Sequence, residues 1–117
     1  MNSEVKAKWI AALCSGKYSQ TREVLRDCQG YCCLGVLTDL YLQEKGEEWE
    51  EDVIGSDTFY HLDCDGDNLS APVIKWSGLD SCDPDVVYEE DLKTLTYLND
   101  DQRLNFKEIA KIIEEQL

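Results

Sequence analysis

The chain has 117 residues, with 11 basic and 25 acidic side chains and a formal net charge of −14 at pH 7. This length suits one domain around one hydrophobic core. Direct binding of duplex nucleic acid is disfavoured, because phosphate contacts need lysine and arginine. Residues 1–43 carry a net charge of +1 and residues 44–117 a net charge of −15. Such a split is typical of a solvated acidic surface, with a partner site as the alternative.

The first predicted helix spans residues 3–14. Asn2 or Ser3 can cap its N-terminus, and Gly16 ends it. Its inner face is apolar and consists of Val5, Trp9, Ala12 and Leu13.

The second predicted helix, residues 32–45, forms the centre of the core, with a short strand at Val24–Asp27 ahead of it. No charged residue occurs from Tyr31 to Leu37, so the first two turns must be covered on every side. Gly35 lowers the helix propensity by roughly 1 kcal/mol relative to alanine. We explain this glycine by the close approach of another backbone segment. Gly46 ends the helix.

The acidic middle of the chain predicts short strands and one short helix. Residues 47–52 are a charge run, and residues 63–68 form a turn by composition. The stretch 70–78 predicts a two-turn helix, with Ser70 as its cap and Gly78 as the residue that stops it. Strands are predicted at residues 53–54, 58–62, 86–88 and 95–98.

The last predicted helix, residues 105–117, has the clearest pattern. Asn105 and Glu108 have the spacing of a capping box. An apolar stripe follows, formed by Phe106, Ile109, Ala110, Ile113 and Leu117. Three such helices with a small antiparallel sheet predict a single α+β domain over residues 1–117.

The sequence predicts a cytoplasmic protein without membrane contact. Met1–Glu4 has neither the basic start nor the apolar run of a signal peptide. Tyr31–Leu37 is the longest uncharged apolar run, and it is too short to span a bilayer. Because nothing indicates export to an oxidising compartment, we expect free thiols at Cys14, Cys28, Cys32, Cys33, Cys64 and Cys82.

Two groups of residues imitate metal sites. Residues 63–68 resemble the start of a calcium loop, but Ile74 stands where the bidentate glutamate belongs and Pro72 interrupts the exit. A zinc site would need ligands from the set His61, Cys64, Cys28 and Cys32 or Cys33. This spacing matches no recurrent zinc module. We therefore expect a solvated acidic turn and buried thiols, without a bound metal.

The sequence gives little support for catalysis. A histidine and a cysteine can form a nucleophilic pair. However, we find no nucleophile elbow, phosphate loop or metal-hydrolase motif along the chain. We therefore expect a protein that is not an enzyme and that needs no cofactor.

Residues 17–26 carry the side-chain types that bind nucleotides, in the least acidic part of the chain. Aromatic faces stack on bases, while arginine and glutamine bind phosphates and amide edges. The loop contributes Tyr18, Gln20, Arg22 and Arg26, beside Trp9 of the first helix. The alternative interpretation is an ordinary surface loop.

Three motifs stand out along the chain. They are Trp9-x-x-Ala12-Leu13-x-Ser15-Gly16-x-Tyr18-x-Gln20, Tyr31-Cys-Cys-Leu-Gly-Val-Leu37, and Leu98-Asn99-Asp100 followed by Phe106-x-Glu108-Ile109-Ala110-x-x-Ile113. Together they resemble a group of small proteins of tailed bacteriophages, and they cover both ends of the chain but not its acidic middle. The resemblance implies a phage protein in the bacterial cytosol. Small phage proteins of this kind often disarm host defence, which is an association and not a derivation.

Two functions of different classes fit these observations. In the first, a non-enzymatic phage accessory protein sequesters a small nucleotide-derived defence signal. Its ligand-binding residues would be Trp9, Tyr18, Gln20, Arg22, Arg26, Asn99 and Asp100. In the second, the acidic part mimics nucleic acid or blocks a basic host protein. The ligand, the host target and the oligomeric state, including a homo-oligomer, stay open.

Overall fold

Helix α2 (Cys33–Lys45) lies at the centre of the fold in a computed structural model, which describes residues 1–62 and 67–117. Every residue from Cys33 to Thr38 is buried, as the uncharged stretch predicted. Gly46 adopts a left-handed conformation, with φ of 68°, and ends the helix. The backbone of Leu25 approaches Gly35 closely, which confirms the prediction for this glycine.

Most of the other helices contact α2 directly. The other helices of the described part are α1 (Ser3–Cys14), α3 (Ala71–Ser77), α4 (Leu95–Asp100) and α5 (Phe106–Gln116). Helices α1 and α5 pack against each other. Lys6 Nζ donates a hydrogen bond to the backbone oxygen of Glu114 (3.0 Å). The three long helices agree with their predicted bounds to within one residue.

Side chains cap these helices much as the sequence predicts. Asn2, and not Ser3, accepts hydrogen bonds from the first-turn amides of α1. Asn105 and Glu108 form the predicted capping box of α5. Ser70 stands at the cap position of α3, but its hydroxyl makes no capping hydrogen bond.

Four short strands form an antiparallel sheet. They are β1 (Arg26–Asp27), β2 (Gly30–Tyr31), β3 (Glu50–Ile54) and β4 (Asp57–His61). The spatial order is β2-β1-β4-β3, so β3 forms an edge of the sheet. The second half of the charge run over residues 47–52 belongs to strand β3, and every residue of β3 pairs with a residue of β4.

A second, two-stranded antiparallel sheet consists of β5 (Asp85–Tyr88) and β6 (Asp91–Thr94). The predicted strand over residues 86–88 is confirmed, whereas β6 was not predicted. Within the described ranges the helices and the two antiparallel sheets make the fold α+β, as predicted.

Residues 95–98 belong to helix α4, so the prediction of a strand there was wrong. Thr94 Oγ1 accepts a hydrogen bond from the backbone amide of Tyr97 (3.2 Å) and caps the helix. Leu95 and Leu98, three positions apart, are both fully buried. This helical spacing and the cap outweigh the strand propensity of the threonine and tyrosine between them.

Residues 63–66, which include Cys64 and most of the calcium-like turn, lie outside the described residues. Within the described ranges, no helix combines the length and the hydropathy that crossing a bilayer would need.

Candidate functional site

The N-terminal loop between α1 and β1 lies against strand β2. The backbone amide of Thr21 donates to the carbonyl of Tyr31 (2.8 Å), and the amide of Tyr31 donates to the carbonyl of Ser19 (2.9 Å). Gln20 forms a parallel bridge with Tyr31. These bonds fix the loop, so its side chains have definite partners.

Asn99 of α4 ties this loop to the core. Its Oδ1 accepts hydrogen bonds from Gln20 Nε2 (2.8 Å) and from the backbone amide of Cys33 (3.3 Å). Its Nδ2 donates to the carbonyl of Thr21 (2.9 Å) and to Asp100 Oδ1 (2.8 Å). Asn99 is fully buried. Both lone pairs and both N–H groups of the amide are used, so Asn99 has no free group for a ligand.

Trp9 is a core residue, which corrects its prediction as an exposed stacking face. Its side chain is fully buried, and Nε1 donates to the carbonyl of Cys33 (2.9 Å). The reason is its place on the inner face of α1, where Val5 and Leu13 are also buried. The indole ring therefore stabilises the packing of α1 against α2.

The remaining predicted residues fall into three separate places. Gln20 also donates to the carbonyl of Leu104 (2.9 Å), and with Asn99 and Asp100 it forms a structural network. Tyr18 and Arg26 both contact the ring of Tyr31. Arg22 is half-buried, and its Nε has no hydrogen-bond partner within the described ranges. The predicted ligand-binding residues thus do not line one pocket.

Arg26 lies among three aromatic rings. Its Cζ atom is 3.9 Å from the ring centre of Tyr60, 4.9 Å from that of Tyr31 and 5.8 Å from that of Trp49. These distances fall within the range of cation–π attraction. Strand pairing creates the arrangement, because Arg26 is opposite Tyr31 on β2 and opposite Tyr60 on β4. We call these four residues the Arg26 cluster.

Asp39 of α2 adjoins the Arg26 cluster. Its Oδ1 accepts from Trp49 Nε1 (3.0 Å), and its Oδ2 accepts from Tyr18 Oη (2.6 Å) and Gln43 Nε2 (2.7 Å). Burial, and then the hydrogen bond to Asp39 and its charge, raise the pKa of Tyr18 far above its ordinary value. Burial and the charge of Asp39 also raise the pKa of Tyr31. Both phenols are therefore neutral at physiological pH.

A cavity of about 310 Å³ opens beside the Arg26 cluster. Among the described residues that line it are four carboxylates, from Asp39, Glu47, Glu48 and Glu51, and one base, Arg26. The guanidinium already faces three aromatic rings, and the carboxylates outnumber it. The cavity therefore repels an anionic phosphate and favours a cationic group.

The carboxylates of this cavity continue along the sheet edge as a surface that we call the acidic edge. It consists of Glu47, Glu48, Glu50, Glu51 and Asp52, all of them exposed. Successive strand residues face opposite sides of a sheet. Glu50 and Asp52 therefore share one face of β3, and Glu51 faces the cavity on the other. The charge run is visible in the sequence, but its place on a sheet edge is not. That place depends on the strand order, in which β4 is the neighbour of β3.

His61 of β4 faces the acidic edge. Its Nε2 lies 2.8 Å from Asp52 Oδ2, and its Nδ1 lies 3.2 Å from Glu50 Oε2 without the alignment of a hydrogen bond. Strand pairing places His61 directly opposite Glu50. Both ring nitrogens therefore point at carboxylates of the neighbouring strand.

Cys32 and Cys33 behave as core residues. Cys32 Sγ accepts from the backbone amide of Gly35 (3.4 Å), and Cys33 Sγ contacts the carbonyl of Leu95 (3.8 Å). Burial raises the pKa of Cys32 to about 12 and that of Cys33 well above its ordinary value. Protonated thiols are poor metal ligands and poor nucleophiles. Within residues 1–62 and 67–117, no group of three or more metal-ligating side chains is arranged to hold an ion.

A second cavity, of about 370 Å³, lies between α2 and α3. Tyr41, Lys45, Pro72, Lys75 and Trp76 line it, so among these described lining residues there are two bases and no acid. The rings of Tyr41 and Trp76 meet edge to face, with centroids 5.5 Å apart. Trp76 Nε1 donates to the carboxylate of Glu44, which also lies 3.6 Å from Lys8 Nζ. This cavity suits a planar anionic group better than the cavity beside the Arg26 cluster does.

A family model described as Domain of unknown function (DUF8296) matches residues 1–117, and the chain belongs to this family. No curated protein and no solved structure matches the chain. The family description contains no activity, so a functional proposal for this chain rests on the geometry of the site.

Proposed function

We propose that this protein is a non-enzymatic interaction protein that binds a basic partner protein through the acidic edge. The observation that carries the proposal is the acidic edge itself. Five exposed carboxylates lie on and just before the edge strand β3. Among the described residues that line the adjoining cavity, Arg26 is the one base, and four carboxylates outnumber it.

The electrostatics favour a cationic partner. A row of exposed carboxylates attracts lysine and arginine side chains, raises the association rate and repels acidic proteins and nucleic acid. Such contacts weaken as salt concentration rises, because the Debye length is about 10 Å at 0.1 M ionic strength. Because the sequence resembles bacteriophage proteins, the partner that we propose is a cytoplasmic host defence protein. The proposed role is to block that protein.

Two of the reactive side chains support a function other than catalysis. Burial keeps the thiols of Cys32 and Cys33 protonated. Neither thiol is therefore an activated nucleophile.

Two variants that each lose four negative charges, and so have the same net charge, test the proposal. In the edge variant, glutamine replaces Glu47, Glu48, Glu50 and Glu51. In the matched control, Asp80→Asn, Asp101→Asn, Glu114→Gln and Glu115→Gln remove the same number of exposed charges elsewhere. The probe is a fluorescent decalysine peptide, titrated at low and physiological salt.

We expect the edge variant to bind decalysine about tenfold more weakly than wild type and to lose most of the salt dependence. The control variant should bind like wild type. Equal losses of affinity in both variants would show that only the net charge of the protein matters, and this would contradict the proposal.

A nucleotide-like ligand is a second candidate, at the cavity between α2 and α3. Two lysines and two aromatic rings meet there, whereas Trp9 and Asn99 of the predicted site are engaged in the core. A thermal-shift screen with nucleotides and cyclic nucleotides tests this candidate. Trp76→Ala should abolish any shift, since base stacking contributes about 1–3 kcal/mol. Loss of the shift in Arg22→Ala instead would place the ligand at the N-terminal loop.

A further inference from the structure

We infer that the outer edge of β3 binds an extended, lysine- or arginine-rich segment of the partner as an additional β-strand. The inference rests on the proposed binding of a basic partner, and it specifies which part of that partner binds and how. A strand at a sheet edge presents backbone N–H and C=O groups that can pair with another chain.

The register of the β3–β4 hairpin identifies these groups. Gly55 and Ser56 form a two-residue turn, with φ of 65° at Gly55, between the paired residues Ile54 and Asp57. The carbonyl of the first residue of such a turn bonds the amide of the last, so this pair is hydrogen-bonded. Hydrogen-bonded and non-hydrogen-bonded pairs alternate along an antiparallel ladder. The backbone groups of Val53 and Glu51 therefore point away from β4.

The second hairpin confirms this rule and shows what a covered edge looks like. Tyr88 and Asp91 flank its two-residue turn, which makes Val87 the first residue with outward backbone groups. The amide of Val87 donates to Gln116 Oε1 (2.7 Å), and Gln116 Nε2 donates to the carbonyl of Val87 (2.8 Å). The side-chain amide of Gln116 thus pairs with β5 as a neighbouring strand would.

The outer edge of β3 has no such cover. Within residues 1–62 and 67–117, no side chain or backbone group outside the strand pairing bonds the amide or carbonyl of Glu51 or Val53. Val53 and Ile54 are 69% and 67% exposed. An added strand would therefore gain backbone hydrogen bonds together with apolar contacts at the tip of the hairpin.

The charges of β3 select the occupant. Pairing with β3 of a second copy would bring the carboxylates of Glu50, Glu51 and Asp52 close to the same groups of its partner. Like charges across a strand pair are destabilising, and charged edges are a common protection against self-association. A strand that carries lysine or arginine converts the same contacts into attraction, which makes a basic segment the occupant that fits.

A proline variant separates strand addition from charge attraction. Val53→Pro removes the outward N–H while it keeps every charge and every hydrogen bond of the β3–β4 ladder, and proline is tolerated at such edge positions. Val53→Thr is the matched control, because it removes the apolar side chain and keeps the N–H. The probe is a peptide of alternating lysine and threonine, titrated by fluorescence anisotropy.

We expect Val53→Pro to weaken binding of this peptide about tenfold, and Val53→Thr to bind nearly as wild type does. A copy of the peptide with N-methylated backbone amides has the same charge and should bind wild type as weakly as the natural peptide binds Val53→Pro. This second measurement does not depend on the folding of any variant.

The outcomes distinguish the inference from the proposed function. Equal affinity of Val53→Pro, Val53→Thr and wild type, or undiminished binding of the methylated peptide, would overturn strand addition while charge attraction stands. Undiminished binding by the four-glutamine edge variant would overturn the proposed function itself. Sedimentation of wild type as a dimer that Val53→Pro dissolves would assign the edge to a second copy and would also overturn the inference.

Discussion

The carbonyl oxygen of Leu25 lies 1.8 Å from the position that a β-carbon on Gly35 would occupy. The same oxygen accepts a hydrogen bond from the amide of Cys32 (3.0 Å) at the start of α2, so it cannot move away without losing that bond. Any side chain at position 35 therefore has to push this backbone contact apart, which explains a glycine inside a helix.

Gly35→Ala should lower the free energy of unfolding by about 3 kcal/mol, because the methyl group overpacks the contact between α2 and Leu25. Urea denaturation measures this loss as a lower midpoint. Gly46→Ala is the control, since Gly46 has φ of 68° but no atom within 4 Å of the added carbon. Its cost should be about 1 kcal/mol, from backbone strain alone. Equal costs at the two positions would contradict the close approach.

Asn99→Ala should lower the free energy of unfolding by about 3 kcal/mol. It leaves the amide of Cys33 and the carbonyl of Thr21 buried without their partner, and each buried unsatisfied group costs roughly 1–3 kcal/mol. Thermal and urea melts check the stability, and a double-mutant cycle with Gln20→Ala measures the coupling between the two amides. A stable Asn99→Ala variant would remove the structural role and restore Asn99 as a candidate ligand contact.

The turn of the β5–β6 hairpin carries avoidable strain. Glu89 and Glu90 have φ of 51° and 70°, a left-handed conformation that favours asparagine and glycine. Glu89→Asn combined with Glu90→Gly should raise the free energy of unfolding by about 1 kcal/mol. Gly55→Ala, at φ of 65° in the other hairpin, is the reverse control and should destabilise by a similar amount. A double variant that melts at or below the wild-type midpoint would contradict the assigned turn.

The protein should lose stability in alkali, beginning near pH 9. Burial raises the pKa of Cys32 from an ordinary 9.0 to about 12 and raises that of Cys33 as well. Above pH 9 the unfolded chain therefore binds fewer protons than the folded one, so the free energy of unfolding falls as pH rises. Below pH 9 this contribution is complete and constant.

Urea midpoints between pH 7.5 and pH 11 measure this dependence. The variant Cys32→Ala with Cys33→Ala should show a shallower decline, since both shifted thiols are gone. The raised pKa values of Tyr18 and Tyr31 should leave a residual decline above pH 10. A wild-type midpoint that does not change up to pH 11 would show that these groups are not buried.

Local sequence patterns predicted the parts of the fold that depend on local contacts. The helical spacing and the caps at Asn2, Gly46 and Asn105 are such features, and the corresponding helices are confirmed. The same pattern already placed Trp9 on the inner face of α1, which spoke against its prediction as an exposed stacking ring. Helix α4 was missed because its cap, Thr94, lies in a short stretch with strand propensity.

The candidate site depends on contacts that no local pattern contains. Asn99 bonds residues 66 to 79 positions away in the sequence. The Arg26 cluster needs the pairing of β1 with β2 and β4. The acidic edge was visible as composition, but only the sheet order makes β3 an edge with outward backbone groups.

The packing of α1 against α5 also constrains how the chain folds during synthesis. Lys6 and Glu114, which join the two helices, are 108 positions apart. On the ribosome, α1 emerges before α5, and until then α1 lacks the contacts that α5 makes with it. Contacts of such large sequence separation form late and slow the folding rate. The first helix therefore stays incompletely packed until α5 has been synthesised.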